Sequence, residues 1–505
     1  MFYRPAAGTN ACVHMPFQMP PIANVLKRAP ALLEKATTIP HILPNSTVRL
    51  AVTGLSRVGK TVFITSLIHN LLAAALAYPN GRHRMPLLKV AGEGRLISAS
   101  LQGAAAQKVP QFPYKEYIAG LAAVPPAWPA RTADVSETEI DIRFTPGRRL
   151  SPRRILGGIV DGATTLRLTL VDYPGEWLLD LALLRQNYVD WSRAIVAMCR
   201  RGVRGELARD WLGFLASHPH DEVASEETAK RAHDLYRFFL LEARNKHGLS
   251  YLQPGRFITA GIAPESEPPY LWFCPLDLPA HINRFTAGSF AALMEARFDA
   301  YRKEAVEKFF REHFQRFDRQ IVLVDVLRAL LAGEDAFEDA CLALEHIIQS
   351  YRFGSSAWLA SLLGARITRV LFAATKADHV SRMQRDHLAQ LLADMSALPS
   401  LQARQGSAET AIMPVASVLC TEDGTDTIGQ HTVDVVVGKP LGRENRINFF
   451  PGPIPIKRPK AGNWNAKFLD IPVFQPPQVS AVPTDGIPHI NLDAALDFLI
   501  GDRLS

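Results

Sequence analysis

Residues 48–61 read Val48-Arg-Leu-Ala-Val-Thr-Gly54-Leu-Ser-Arg-Val-Gly59-Lys60-Thr61. A short apolar run ends in glycine and passes into GxxxxGKT, the pattern of a strand that turns through a phosphate-cradling loop into a helix. Gly54 lets the chain turn sharply off the strand, and Gly59 lets the backbone approach a phosphate where a Cβ would intrude. The loop N–H groups, from Ser56, Arg57, Val58 and Gly59 through Lys60, Thr61 and Val62, then converge on a β-phosphate at a helix N-terminus, where the helix dipole favours an anion. Lys60 reaches the β- and γ-phosphates, and the Thr61 hydroxyl is a ligand for Mg²⁺. Apolar residues at Ile64, Leu67, Ile68, Leu71 and Leu72 fall on one face of the helix that should follow.

Two further segments turn this loop into a site. The apolar strand Thr165-Leu-Arg-Leu-Thr-Leu-Val-Asp172 runs into Tyr-Pro-Gly175-Glu176. An Asp at the strand end reaches Mg²⁺ through a water, and the glycine of DxxG offers its N–H to a γ-phosphate. The second segment, Arg369-Val-Leu-Phe-Ala-Ala-Thr375-Lys376-Ala377-Asp378, ends a buried-type strand in TKxD. Guanine presents N1–H and N2–H₂ donors on one edge, and a carboxylate matches them with two acceptor oxygens; adenine lacks those donors. The Lys376 stem can lie over the base. Guanine selectivity is the favoured reading, with relaxed or adenine binding as the alternative.

The catalytic machinery is thinner. The slot after DxxG holds Glu176. Its carboxylate either accepts a hydrogen bond from the attacking water or, as a helix N-terminal residue, complements the dipole. A carboxylate there also adds negative charge beside a phosphate. Thr132 and Thr138 are the candidates for a switch threonine, and Ala416 and Ser417 for backbone N–H contacts to the guanine O6. Three classes compete: a GTP-hydrolysing switch, a phosphotransferase, and a scaffold that binds nucleotide without turnover. TKxD disfavours the second.

The stretches Leu50-Ala-Val-Thr-Gly-Leu-Ser-Arg-Val-Gly-Lys-Thr, Phe63-Ile-Thr-Ser-Leu, Tyr173-Pro-Gly-Glu-Trp-Leu-Leu-Asp-Leu, Gln320-Ile-Val-Leu-Val-Asp and Ala374-Thr-Lys-Ala-Asp resemble the YcjX-like family of bacterial P-loop NTPases. The resemblance covers about residues 47–505. It implies a Ras-like core, α/β with a mostly parallel sheet, one antiparallel edge strand and large helical insertions. It also implies a cytoplasmic, stress-associated protein.

The bulk composition agrees with that class. The chain has 505 residues, of which 48% are hydrophobic, enough for a large core and a soft prior of about two to four domains. No run approaches the ~18 apolar residues of a membrane span. Cysteines at 12, 199, 274, 341 and 420 are dispersed and form no CxxC, as expected in a reducing cytoplasm. Net charge is +7, with Arg148, Arg149, Arg153 and Arg154 as the tightest basic cluster. A solvated loop is the favoured reading of that cluster, and contact with acidic lipid or RNA the other. An unidentified protein partner is the remaining expectation.

Residues 1–46 read as a flexible, Pro-rich extension, followed by a nucleotide-binding domain over 47–505. Core strands are expected at 48–53, 138–144, 164–171, 321–326, 370–374 and 411–416. Insertions should occupy about 77–136 and 177–316. Helices are expected over Leu178–Asp190, Glu206–Leu215, Ser225–Lys246 and Ser289–Phe317. The last carries Phe290, Leu293, Phe298, Tyr301, Phe309, Phe310 and Phe314, a stripe read as core packing with a partner-binding face as the alternative. The part 421–505 reads as loop-rich, with a strand-like run at Thr432–Val437 and a capping helix over Ile490–Leu499.

Overall fold

The computed structural model describes residues 46–54, 57–76, 85–102, 109–129, 134–147, 162–259, 267–350, 367–396, 408–460, 464 and 471–505. The Pro-rich extension up to residue 45 and the basic cluster at Arg148–Arg154 lie outside the described residues.

A seven-stranded sheet has the order β2-β3-β4-β1-β5-β6-β7. Its strands are β1 (Ser46–Gly54), β2 (Leu96–Leu101), β3 (Ser136–Phe144), β4 (Thr164–Asp172), β5 (Arg319–Val324), β6 (Arg369–Ala374) and β7 (Glu409–Pro414). From β4 through β7 every pairing is parallel, while β3 runs antiparallel to both β2 and β4. The antiparallel strand therefore stands on the expected side of the sheet. The strand β2, which the sequence pattern did not signal, pairs with its outer edge.

Both faces of the sheet are covered, which is why its central strands are apolar nearly throughout. In β5 the side chains alternate between two cores: Ile321 and Leu323 join one, Val322 and Val324 the other. The first face receives α1 (Lys60–Ala74) and α2 (Tyr114–Ala122), and the C-terminal helix named below.

Between β4 and β5 the chain builds its own core. It contains α3 (Tyr188–Met198), α4 (Glu226–His247) and α5 (Phe290–Tyr301). Ser225 caps α4 by accepting the Thr228 N–H, and Gly248 ends it at φ +69°, the left-handed conformation of a helix stop. The aromatic stripe proves to be core: Phe290, Phe298, Tyr301, Phe309, Phe310 and Phe314 are all buried, and Leu293 packs against them. The helix that bears it is not continuous, since a π-helical turn over Arg302–Glu307 separates α5 from Lys308–Glu312.

Two expected helices are also divided. Leu178–Asp190 is replaced by a short helix Trp177–Asp180, a 3₁₀ turn Leu181–Arg185, and a fresh start at α3. The break falls at Asn187, whose side chain accepts the Asp190 N–H at 2.8 Å and so begins a new helix rather than continuing the old one. Glu206–Leu215 is split into Gly202–Leu207 and Arg209–Ser217.

The second face of the sheet is covered by α6 (Val326–Leu331), α7 (Glu334–Ser350) and α8 (Arg385–Met395). β5 stops two residues short of the expected Val326 because the Asp325 carboxylate accepts the Arg328 N–H at 3.1 Å and caps α6. The loop-rich reading of the C-terminal part needs correction. It contains a three-stranded antiparallel sheet of β8 (Thr421–Ile428), β9 (His431–Gly438) and β10 (Ile447–Phe449), before α9 (Leu492–Ile500) returns to the main sheet. No described helix is long and apolar enough to cross a membrane.

Candidate functional site

Parallel strands bring their carboxyl ends to one edge of a sheet, where α/β proteins bind ligands. The register is close: Val52 pairs with Asp172, Gly54 with Leu323, and Val324 with Ala374. Gly54, Asp172, Asp325 and Thr375 consequently leave neighbouring strands side by side.

At the end of β1, Arg57 and Gly59 adopt positive φ values of 67° and 91°. A Cβ on Gly59 would meet nothing within 4 Å, so glycine is needed there for its backbone angle. Gly54, also at positive φ, is needed for closeness as well. A Cβ there would lie 2.6 Å from the Leu323 carbonyl oxygen and from a Val58 methyl. Lys60 arches back and donates to the Gly54 carbonyl oxygen at 2.9 Å, so its ammonium lies over the loop. Thr61 and Val62 follow on the first turn of α1. Ser56 lies outside the described residues.

Asp172 closes β4, 1% exposed, while Thr61 is 8% exposed in α1. A carboxylate and a hydroxyl are hard oxygen donors, and two protein ligands suit Mg²⁺, which keeps waters and substrate phosphates for its other positions. Among the described residues no cluster of three or more His, Cys, Asp or Glu side chains could hold a metal alone.

The stretch from Val171 to Asp180 is buried at every residue. A Cβ on Gly175 would lie 2.3 Å from the Gly54 carbonyl oxygen, so the two backbones are in contact. Glu176 is 6% exposed, makes no capping hydrogen bond to the short helix it begins, and lines a small cavity with Val58, Leu249, Leu252 and Ile258. Thr132 lies outside the described residues, and Thr138 is buried opposite Leu170, two residues inside β3. Ser136, which pairs directly with Asp172, is the hydroxyl that β3 brings to this end; only the strand register identifies it.

On the base side, Thr375 donates its N–H to the Val324 carbonyl oxygen at 2.9 Å. Lys376 has φ +60°, and its ammonium pairs with Asp325 Oδ2 at 2.5 Å. Asp378 is 2% exposed and its Oδ2 accepts the Cys420 N–H at 3.0 Å; the Thr421 hydroxyl donates to the Asp378 carbonyl oxygen. Burial, with the Asp378 carboxylate second, pushes the Cys420 thiol well above its ordinary range. Nothing in the sequence marked Cys420 or Thr421 as partners of Asp378.

Ala416 requires a correction. Its N–H donates to the Ile490 carbonyl oxygen at 3.1 Å, in a bridge that Ile490 returns at 2.8 Å, so this amide is committed. Ser417 remains of the two: its carbonyl oxygen accepts the Ser66 hydroxyl at 2.5 Å, while its own N–H makes no hydrogen bond to a described residue.

Known proteins resemble this chain over most of its length. A relative from Shewanella oneidensis named Ras-like GTPase YcjX is 33% identical over 489 residues, covering 94% of this chain and 98% of the relative. A protein of the same name from Escherichia coli (strain K12) is 36% identical over 465 residues, covering 90% of this chain and 96% of the relative. The architecture is a Ras-like α/β fold. The profile of the YcjX-like family, DUF463, matches residues 48–504, from the strand before the phosphate loop to the end of the C-terminal helix, and the chain belongs to that family.

Proposed function

We propose that the chain binds guanine nucleotides and hydrolyses GTP with Mg²⁺, as a slow cytoplasmic switch whose output passes through the helical insertions at about 77–136 and 177–316. The observation that carries this reading is one edge of the sheet, where the strands leading into the Lys60 loop, Asp172 and the TKxD segment end side by side. The printed names of the two relatives support GTP as the nucleotide. The four free cysteines among the described residues suit a reducing compartment.

Phosphoryl transfer to water asks a protein mainly for positioning and charge neutralisation. Lys60, bent over the loop, moves from the Gly54 carbonyl to the β- and γ-phosphates. Thr61 and Asp172 would hold Mg²⁺. When bound, the metal neutralises charge developing between the β- and γ-oxygens. Gly175 presents its N–H to the γ-phosphate. Asp378, oriented by Cys420, offers its remaining acceptor positions to the guanine N1–H and N2–H₂. Competition of labelled GTP by GTP, XTP and ATP tests the base; ATP competing as well as GTP would convert the reading to an ATPase.

A second reading rests on Glu176. Its backbone is wedged against Gly255, where a Cβ would lie 2.2 Å from the Glu176 carbonyl oxygen. A residue so confined is poorly placed to aim a water, which favours a nucleotide-binding scaffold with little intrinsic turnover. Single-turnover hydrolysis, with Lys60→Ala as control, separates the two readings.

A further inference from the structure

Asp180 ends the short helix that begins beside Glu176, and it is 2% exposed. A buried carboxylate is costly unless its oxygens are satisfied. Here both are satisfied by distant parts of the chain. Oδ1 accepts the Gly255 N–H at 2.7 Å, and Oδ2 accepts the Tyr301 O–H at the end of α5.

The turn that carries Gly255 is seated closely on the same short helix. Gln253 donates its amide to the Leu179 carbonyl oxygen at 2.6 Å, and Tyr236 on α4 donates to the Gln253 carbonyl oxygen at 2.6 Å. The Arg256 guanidinium lies 3.7 Å from the centre of the Trp177 ring. The Gly255 backbone touches Glu176, and the Gly175 backbone touches Gly54 in the phosphate loop. A path of direct contacts thus runs Gly54–Gly175–Glu176–Gly255–Asp180–Tyr301. Close-packed paths of this kind shift between discrete arrangements rather than deforming gradually.

We propose that Asp180 is a positioning residue for the γ-phosphate: it clasps the 253–257 turn and α5 to the segment bearing Gly175, fixing that glycine over the phosphate loop. The inference rests on the nucleotide reading above and adds its route of output. GDP has no γ-phosphate and makes no use of Gly175, so the clasp acts on the triphosphate alone. Displacement of Gly175 on hydrolysis is carried into α5.

The test uses the full chain and its Asp180→Ala, Asp180→Asn and Tyr301→Phe variants, with Mg²⁺, GDP and a non-hydrolysable GTP analogue. GDP affinity should stay within about twofold of wild type in all three. Analogue affinity should fall about tenfold in Asp180→Ala, where both buried partners are orphaned, and less in Tyr301→Phe. Asp180→Asn, which keeps an acceptor for Gly255, should stay near wild type. Equal weakening of both nucleotides, or of neither, overturns the proposal. Hydrogen exchange on the wild type supplies a readout that does not depend on any variant folding. Amides of 253–257 and 290–301 should be better protected with the analogue than with GDP, and identical protection overturns the clasp. Wild-type protein that binds neither nucleotide would remove the reading on which the clasp rests, before any variant is compared.

Discussion

At the phosphate end of the site, backbones touch: Gly175 leaves 2.3 Å between a would-be Cβ and the Gly54 oxygen, and Gly255 leaves 2.2 Å against Glu176. At the base end, the corresponding duty falls to hydrogen bonds. Cys420 N–H holds the Asp378 carboxylate, Lys376 pairs with Asp325, and Ala416 bridges Ile490. The first kind of contact fails when any atom is added; the second fails when a partner is removed or its polarity reversed. Close packing therefore governs the part proposed to sense a γ-phosphate, and donor–acceptor matching the part proposed to choose a base.

The largest effect should come from the metal arm. Asp172→Ala should leave GDP binding near wild type while Mg²⁺-dependent turnover falls roughly 10²–10³-fold, the size typical of losing one preorganised electrostatic group. Wild-type turnover in single-turnover assays would reduce Asp172 to a strand end.

Next in size is the packing contrast itself. Gly175→Ala forces a methyl into a backbone oxygen and should cost about 3 kcal/mol of stability, the upper range for overpacking. Gly213→Ala, where nothing lies within 4 Å, is the matched control and should be neutral or slightly stabilising. Equal denaturation midpoints for the two variants would show that the Gly54–Gly175 contact is loose.

Lys60→Ala should weaken triphosphate binding about tenfold to a hundredfold, the worth of a charge-assisted contact of roughly 1.5–3 kcal/mol. Calorimetry giving unchanged affinity would defeat the phosphate-loop assignment. On the base side, Asp378→Asn replaces an acceptor with a donor. Preference should move from GTP toward XTP by about 1–3 kcal/mol, with ATP poor throughout. No gain in XTP binding would make TKxD a coincidental strand-end turn.

The last prediction is a pH dependence of stability. Burial pushes the Asp180 carboxyl up from 3.8 to about 6, against the lowering influence of Tyr301, Gly255 and Arg256. As pH rises, the unfolded chain ionises first, so Asp180 draws the equilibrium toward unfolding. Relative to Asp180→Asn, the wild type should lose stability between about pH 4 and about pH 6, with no further change above. A midpoint difference that stays constant across that window would place the carboxyl at its ordinary range.

Much of this was legible in the chain because the decisive signals are local. GxxxxGKT, the strand ending at Asp172 and TKxD each declare a strand and the turn after it within about a dozen residues. What the sequence concealed is long-range. Asn187 with Asp190 three residues on is a helix-start signal, but it is weak inside an apolar periodic run, and only the side chain accepting the Asp190 N–H shows that the helix restarts. β2 carries a weakly alternating Leu-Ile-Ser-Ala-Ser-Leu that becomes a strand by pairing with β3. Cys420 reaches Asp378 across 42 positions, and the Ala416 amide is lost to a residue 74 positions away, partners that no spacing rule anticipates.

That last bridge has a consequence for biosynthesis. The loop after β7, residues 416–420, which the proposed reading sets beside the base, is stitched to Ile490 and Pro488 through main-chain hydrogen bonds. Arg319, at the start of the central strand β5, donates to the Leu499 carbonyl oxygen at 2.8 Å. A nascent chain emerges from its N-terminus, so the strand before the phosphate loop appears long before β5, with which it pairs. It cannot set the loop beside the base until Ile490 has left the ribosome. Chains interrupted before that point keep an intact GxxxxGKT and lack the main-chain hydrogen bonds that Pro488 and Ile490 give to residues 416–419.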